Sequence, residues 1–220
     1  MLKKTFLRQV DDRQPFRVVC FGAHCDDIPI GCGGTLLHFA DQYPQMEVTW
    51  VVMSSTEIRE SEEQAAAKVF IGNASSNTVV IKRWRDGFLP DVWKDVKEFF
   101  EELKQQLEPD LIFTHYRDDR HQDHRLVNEL TWNTFRNHFI LEYEIPKYDG
   151  DFGSPNVFVP LSDSTCRNKA REIVDCYPSQ KGKQWFDEEI FVSLARLRGM
   201  EAGRESPYAE GFYCRKLLLA

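Results

Sequence analysis

The sequence predicts an α/β fold with a mostly parallel sheet and a less regular carboxyl third. Two observations carry that prediction. Short apolar runs rich in β-branched and aromatic residues alternate with helical stretches, the pattern of parallel strands joined by helices. Clusters of histidine and carboxylate also follow two of these runs, at the carboxyl ends of strands where open α/β sheets bind ligands. With 220 residues, 42% hydrophobic and 29% charged, the chain can bury one substantial core. One domain over 1–220 is the simplest division.

Phe16 to Gly22 reads as the first buried strand, running into Ala23-His24-Cys25-Asp26-Asp27 and a glycine-rich turn, Gly31-Cys32-Gly33-Gly34-Thr35. Thr35 to Tyr43 reads as a helix ended by Pro44, and Met46 to Met53 as a second strand. Glu57 to Phe70 has the acidic start and alanine content of a helix, and Thr78 to Lys82 is a short third strand. After a loop at 84–90, apolar Val92, Val96, Phe99, Phe100 and Leu103 form a helical stripe over 92–107. Pro109-Asp110 leads into a fourth buried strand, Leu111 to Thr114. Phe139 to Ile145 and Asn156 to Leu161 read as strands departing from parallel order, with a loop from Pro146 to Pro155 between them. Helices follow at about 164–177 and 186–200; His38 and His138 fall inside helical patterns and read as structural.

The net charge of −7 argues against a general affinity for nucleic acid or anionic membrane. No apolar stretch approaches the roughly 20 residues that span a bilayer, and Met1 to Arg8 has no apolar core of signal-peptide length. Six cysteines lie scattered with no CxxC pair, so reduced thiols and a cytoplasmic protein are expected.

The fourth strand runs into His115-Tyr116-Arg117-Asp118-Asp119-Arg120-His121-Gln122-Asp123-His124. Val127, Leu130 and Trp132 follow at helical spacing, which puts His121 and His124 three apart on one face of a first turn. A lone Asp-Asp pair is more often a helix cap or solvated turn than a ligand. Charges at a helix start also favour its dipole without any chemistry. Two such clusters at matched strand ends point instead to one composite metal site. Cys25, with no base-and-orienter set beside it, reads as a small buried residue.

These motifs resemble the PIG-L/LmbE-like metal-dependent deacetylases, whose marks are an AHPDDE-type motif, a GCGGT-like turn and an HPDH-type motif. Here they read Ala23-His24-Cys25-Asp26-Asp27-Ile28, Gly31 to Thr35, and His121-Gln122-Asp123-His124. The lead-in Pro109 to His115, the Arg59-containing helix, the Asp86-Gly87 loop and Tyr208-Ala209-Glu210-Gly211-Phe212 look similar too. The resemblance implies a three-layer sandwich around a Rossmann-like sheet, and hydrolysis of the acetyl amide of an N-acetylglucosamine-type sugar or its conjugate. It makes His24, Asp27 and His124 the Zn2+ ligands and Asp26 the general base. His121 becomes the group that stabilises the oxyanion or protonates the amine, and Asp123 the orienter of a ligand histidine. Arg59 and Asp86 would meet sugar hydroxyls, although unaided by the resemblance Arg59 reads as a helix ion pair with Glu62 or Glu63 and Asp86 as a turn residue. Trp84, Phe88 and Trp185 could stack on a sugar ring, with packing the commoner role for each. A His-Asp-His set also takes Fe2+, Mn2+ or Co2+, and relatives include homo-oligomers.

Cys25 and Gln122 stand where relatives have proline, Ile28 where they have an acid, and Asp119 where some have an oxyanion-donating tyrosine. None of these removes a ligand or the base. A metal-dependent amidase or esterase on a non-sugar acyl group fits the ligand set equally well. A nucleotide-binding module built on Gly31 to Gly34 ranks lower, lacking GxGxxG spacing and a P-loop lysine; a non-catalytic binding protein with a relic site leaves the intact Asp26 unexplained.

Overall fold

Strand β1 (Phe16–His24) pairs in parallel with β2 (Met46–Ser54) on one side and β4 (Leu111–His115) on the other. β3 (Ser76–Trp84) extends the β2 side and β5 (Ile140–Tyr143) the β4 side, both in parallel. β6 (Val157–Leu161) and β7 (Tyr208–Tyr213) complete a seven-stranded sheet in the order β3-β2-β1-β4-β5-β7-β6. This computed structural model describes residues 14–203 and 206–218; the amino-terminal octapeptide discussed above lies outside them.

Alternation along β1 sends Phe16, Val18 and Cys20 to one face and Val19, Phe21 and Ala23 to the other. The first face is covered by α1 (Asp27–Gln42), α2 (Glu57–Ile71), α5 (Asp163–Cys176) and α6 (Glu188–Ala202) through residues such as Phe39, Phe70, Ile173 and Phe191. The second is covered by α3 (Trp93–Gln106) and α4 (Gln122–Thr134) through Phe99, Phe100, Val127 and Leu130. The sheet is thus the middle of three layers.

The carboxyl third departs from the sequence reading. β5 runs parallel to β4, and β6 has the same sense; the reversed strand is β7, which pairs antiparallel with both. His138 lies in a turn after α4 rather than in a helix, its N–H donating to the Phe135 carbonyl at 3.2 Å. No helix among the described residues is long and apolar enough to cross a membrane.

The Gly31–Thr35 stretch is not a turn either, because α1 starts at Asp27 and runs through it. Glu210, reaching from β7, accepts the N–H groups of Gly34 (2.8 Å) and Thr35 (2.7 Å) and the Thr35 hydroxyl. Lys169 of α5 donates to the Ile30 carbonyl at 2.6 Å and pairs with Glu210. A carboxylate of the protein itself therefore occupies the amides that a phosphate-binding loop would offer, which removes the footing of the nucleotide-binding reading. Glycine here serves close approach. A Cβ on Gly31 would run into the Tyr143 ring, and one on Gly34 would meet Leu161 Cδ1 at 2.6 Å.

Tyr143 cannot yield easily, being fully buried with its O–H on the Phe21 carbonyl at 2.6 Å. Gly31→Ala should cost about 2–3 kcal/mol, lowering Tm by roughly 5–10 °C. A thermal melt matching wild type would contradict this packing.

Candidate metal centre

β1 and β4 are neighbours, so the two clusters read from the sequence meet at one end of the sheet. After His24 the chain turns at Asp26, whose φ of 94° is the one positive value at a non-glycine among the described residues. Asp tolerates that conformation better than most side chains. The Asp26 N–H donates to Glu63 Oε2 at 3.1 Å, and Glu63 also accepts from Trp50 Nε1 and the Tyr177 hydroxyl, each at 2.6 Å. Glu63 is fully buried; burial outweighs these donors and pushes its carboxyl up to about 7.

Asp26 and Asp27 face different surroundings. Asp26 Oδ2 lies 3.1 Å from the Arg59 guanidinium, which also donates to the Cys25 carbonyl. Burial pushes Asp26 up to about 7, with Arg59 pulling it down and Asp27 pushing it up. Arg59 thus pairs with Asp26 rather than with Glu62 or Glu63, contrary to the plain helix-pair reading; Glu62 instead accepts from Ser179. Asp27 turns the other way. Its Oδ2 accepts the His24 N–H at 2.6 Å and lies 3.4 Å from His24 Nδ1, and its Oδ1 lies 3.5 Å from His124 Nε2. Burial raises its pKa, but His124 and His115 outweigh that and hold it well below the usual carboxylate range.

His24 Nδ1 and His124 Nε2 stand 3.1 Å apart. The Asp27 carboxylate straddles the two rings, offering Oδ2 to His24 Nδ1 at 3.4 Å and Oδ1 to His124 Nε2 at 3.5 Å. A tetrahedral cation with bonds of about 2.0–2.1 Å sets its donors about 3.3 Å apart, a spacing that each of these pairs approaches, with the carboxylate turning a different oxygen to each ring. His121 joins His24 and His124 in an overlapping cluster, and His115 joins Asp27 and His124 in another. Burial and the neighbouring His115 lower His124 to about 3, which favours the neutral imidazole a metal needs. Burial lowers His24 too, but Asp123, Asp27 and Asp86 outweigh it and raise the group well above its ordinary value.

Carboxylates hold the far side of both rings. Asp123 Oδ2 lies 3.0 Å from His24 Nε2 and also accepts the Gly87 N–H at 2.7 Å, while Oδ1 accepts the Leu89 N–H at 3.1 Å. Asp86, well exposed, puts Oδ1 3.1 Å from the same His24 nitrogen. Asp119 Oδ2 lies 2.9 Å from His124 Nδ1. His121, half-buried at the start of α4, accepts the Asp123 N–H on Nδ1 at 3.3 Å.

The sequence reading gave His115 and Asp119 no role of their own and took Glu63 only as a possible helix partner of Arg59. His115 is fully buried, accepts the Ala23 N–H on Nε2 at 3.0 Å and stacks on His124 at 3.9 Å. Its place in the histidine-rich segment was the available signal. Cys25 is buried with Sγ 3.7 Å from the Ser54 carbonyl, and burial pushes its thiol far up, leaving no thiolate. Trp84 and Trp185 pack edge-on against Phe99 and Phe186, while the more exposed Phe88 carries the Arg85 guanidinium over its ring.

Residues 19–135 match the family model described as PIG-L: GlcNAc-PI de-N-acetylase. Among solved structures, N,N'-diacetylchitobiose deacetylase from Pyrococcus horikoshii is 24% identical over 93% of this chain and 87% of that one, with a TM-score of 0.67. The 4-carboxy-2-hydroxymuconate hydratase GalB from Pseudomonas putida is 17% identical over 93% and 98%, with a TM-score of 0.72. The zinc-inhibited form of teicoplanin deacetylase Orf2 is 14% identical over 90% and 97%, with a TM-score of 0.69.

Folding raises the Glu63 carboxyl from 4.5 to about 7, so the folded state holds that proton more tightly across the interval. The stability tied to the proton is present at low pH and lost as pH rises through about 7. Between pH of about 5 and about 8, wild type should lose several degrees of Tm relative to Glu63→Gln. Parallel Tm–pH curves would contradict the assignment.

Proposed function

This chain belongs to the PIG-L, GlcNAc-PI de-N-acetylase family, and from that premise we propose that it is a metal-dependent deacetylase. Its substrate is the N-acetyl amide of an amino sugar, or of a small conjugate carrying one. The observation that carries the reading is the division between two adjacent carboxylates, with Asp27 turned into the histidine donors and Asp26 turned aside to Arg59.

His24, Asp27 and His124 would hold the cation, and three protein ligands leave a position open. Nitrogen and carboxylate donors suit Zn2+, and they also accept Fe2+, Mn2+ or Co2+. When bound, such a cation supplies Lewis acidity and lowers the pKa of a water beside it. Asp26 takes the proton of the attacking water. It is buried and paired with Arg59 at 3.1 Å, yet Oδ2 accepts no directed hydrogen bond from the protein, so its lone pairs stay available. His121 accepts a backbone N–H on Nδ1, so its neutral tautomer carries the proton on Nε2. That N–H faces the charge developing on the carbonyl oxygen or passes its proton to the leaving amine. Asp123 orients His24 from the ring's far nitrogen. Asp86, exposed at the rim, accepts from sugar hydroxyls, and Arg59 offers N–H groups beyond those it spends on Asp26 and Cys25. The enzyme works on small molecules in the cytoplasm, a placement that its unpaired cysteines suit.

A second reading comes from the hydratase neighbour, because one fold hosts several chemistries. In that case the same site would activate water toward a carbon–carbon double bond, or toward a non-sugar amide or ester. Acetate release over a panel of N-acetylglucosamine, N,N'-diacetylchitobiose, simple acetamides and acetate esters separates the acyl substrates, and loss of the ultraviolet absorbance of a conjugated enoate reads double-bond hydration, which releases no acetate. Acetate and free amine from the sugars support the first reading, and turnover confined to the non-sugar compounds supports the second. Asp26→Asn should retain the metal and lose about a hundredfold or more in turnover. Undiminished turnover in that variant would remove Asp26 as the base.

A further inference from the structure

The outer nitrogen of His124 is held by Asp119, a residue outside the histidine motif, and Asp119 in turn depends on a lysine from another part of the chain. Asp119 Oδ2 lies 2.9 Å from His124 Nδ1 and 2.9 Å from Lys147 Nζ, and its Oδ1 accepts the His121 N–H at 2.8 Å. Lys147 Nζ also lies 2.6 Å from Asp151 Oδ2, which accepts the Arg120 N–H at 2.7 Å. The side chains of Asp119 and Asp151 are 2% and 5% exposed and that of Lys147 is 11% exposed, so one ammonium serves two carboxylates with little help from solvent.

We propose that Lys147 is a positioning residue for the metal centre, which couples the segment after β5 to the state of His124. The inference rests on the reading of His124 as a ligand. A carboxylate on Nδ1 fixes the proton there and leaves the Nε2 lone pair directed at His24 and Asp27. Asp119 keeps that bond because Lys147 offsets its charge and that of Asp151. Without the ammonium the two buried carboxylates repel. Asp119 is the one that must let go of something, and what it holds is the His124 ring and the His121 backbone. The pinned segment, 146–155, carries no strand or helix. Its first half is tied to the site by this ion cluster, while Gly153 is held separately by the Tyr213 hydroxyl and Arg198.

The test is the Zn2+ affinity of the metal-free protein, measured by competition with a chromophoric chelator and independent of any substrate. Lys147→Met should bind Zn2+ about 10- to 100-fold more weakly than wild type, and Lys147→Arg within a few-fold of it. The double variant Lys147→Met/Asp151→Asn, which removes the repulsion, should recover much of the loss. If Lys147→Met melts well below wild type, this double variant and Lys147→Arg carry the comparison. Lys147→Met binding as tightly as wild type overturns the proposal, as does a double variant no better than the single one. His24→Ala is the control for the metal reading: if it binds like wild type, both that reading and the inference built on it fall, whereas weak binding by His24→Ala alone removes only the role of Lys147.

Discussion

Strand order reverses between β1 and β4, and the site depends on that reversal. From the end of β1 the chain enters α1 on one face of the sheet; from the end of β4 it enters α4 on the other. The two connections part and leave a crevice at the strand ends, as open α/β sheets do at such a point. Register then does the fine placement. Val18, Val19 and Cys20 pair with Leu111, Ile112 and Phe113, which brings His24 and His115 to the same end of the sheet, close enough for the Ala23 N–H to bond His115.

Filling that crevice with charge is costly, and the structure offsets the cost with further buried partners. Asp27 sits among imidazoles, Asp123 accepts two backbone N–H groups from the loop after β3, and Glu63 takes the N–H of the strained Asp26. Each buried carboxylate thus fixes a segment that shapes the site as well as satisfying its own lone pairs. Glu210 does the same at a distance. By holding the amides of Gly34 and Thr35 it ties β7 to the helix that begins at Asp27.

What was legible in the sequence was local. The apolar run of β1 and the three-residue step from His121 to His124 declare themselves through periodicity, and so does the stripe on α3. Gly31–Thr35 was misleading because glycine breaks helices by habit, while here it clears room for Tyr143 and Leu161. β7 went unseen because Tyr208-Ala209-Glu210-Gly211-Phe212 has neither clean alternation nor strong strand propensity. Its strand is justified by pairing with β5 and β6, which are distant in sequence, and its Glu210 side chain reaches amides in α1 still farther back. The same holds for the carboxylates behind the histidines. Asp119 and Lys147 are 28 residues apart and meet only because β5 lies beside β4.

The central claim is that one cation is held by two imidazoles and the Asp27 carboxylate, not by the three histidines that also cluster there. X-ray absorption spectroscopy on the Zn2+-loaded protein tests it directly. The account predicts one Zn2+ per chain with two imidazoles and the remaining ligands oxygen, at about 2.0–2.2 Å. A fit requiring three imidazoles, or a sulfur at about 2.3 Å, would contradict it.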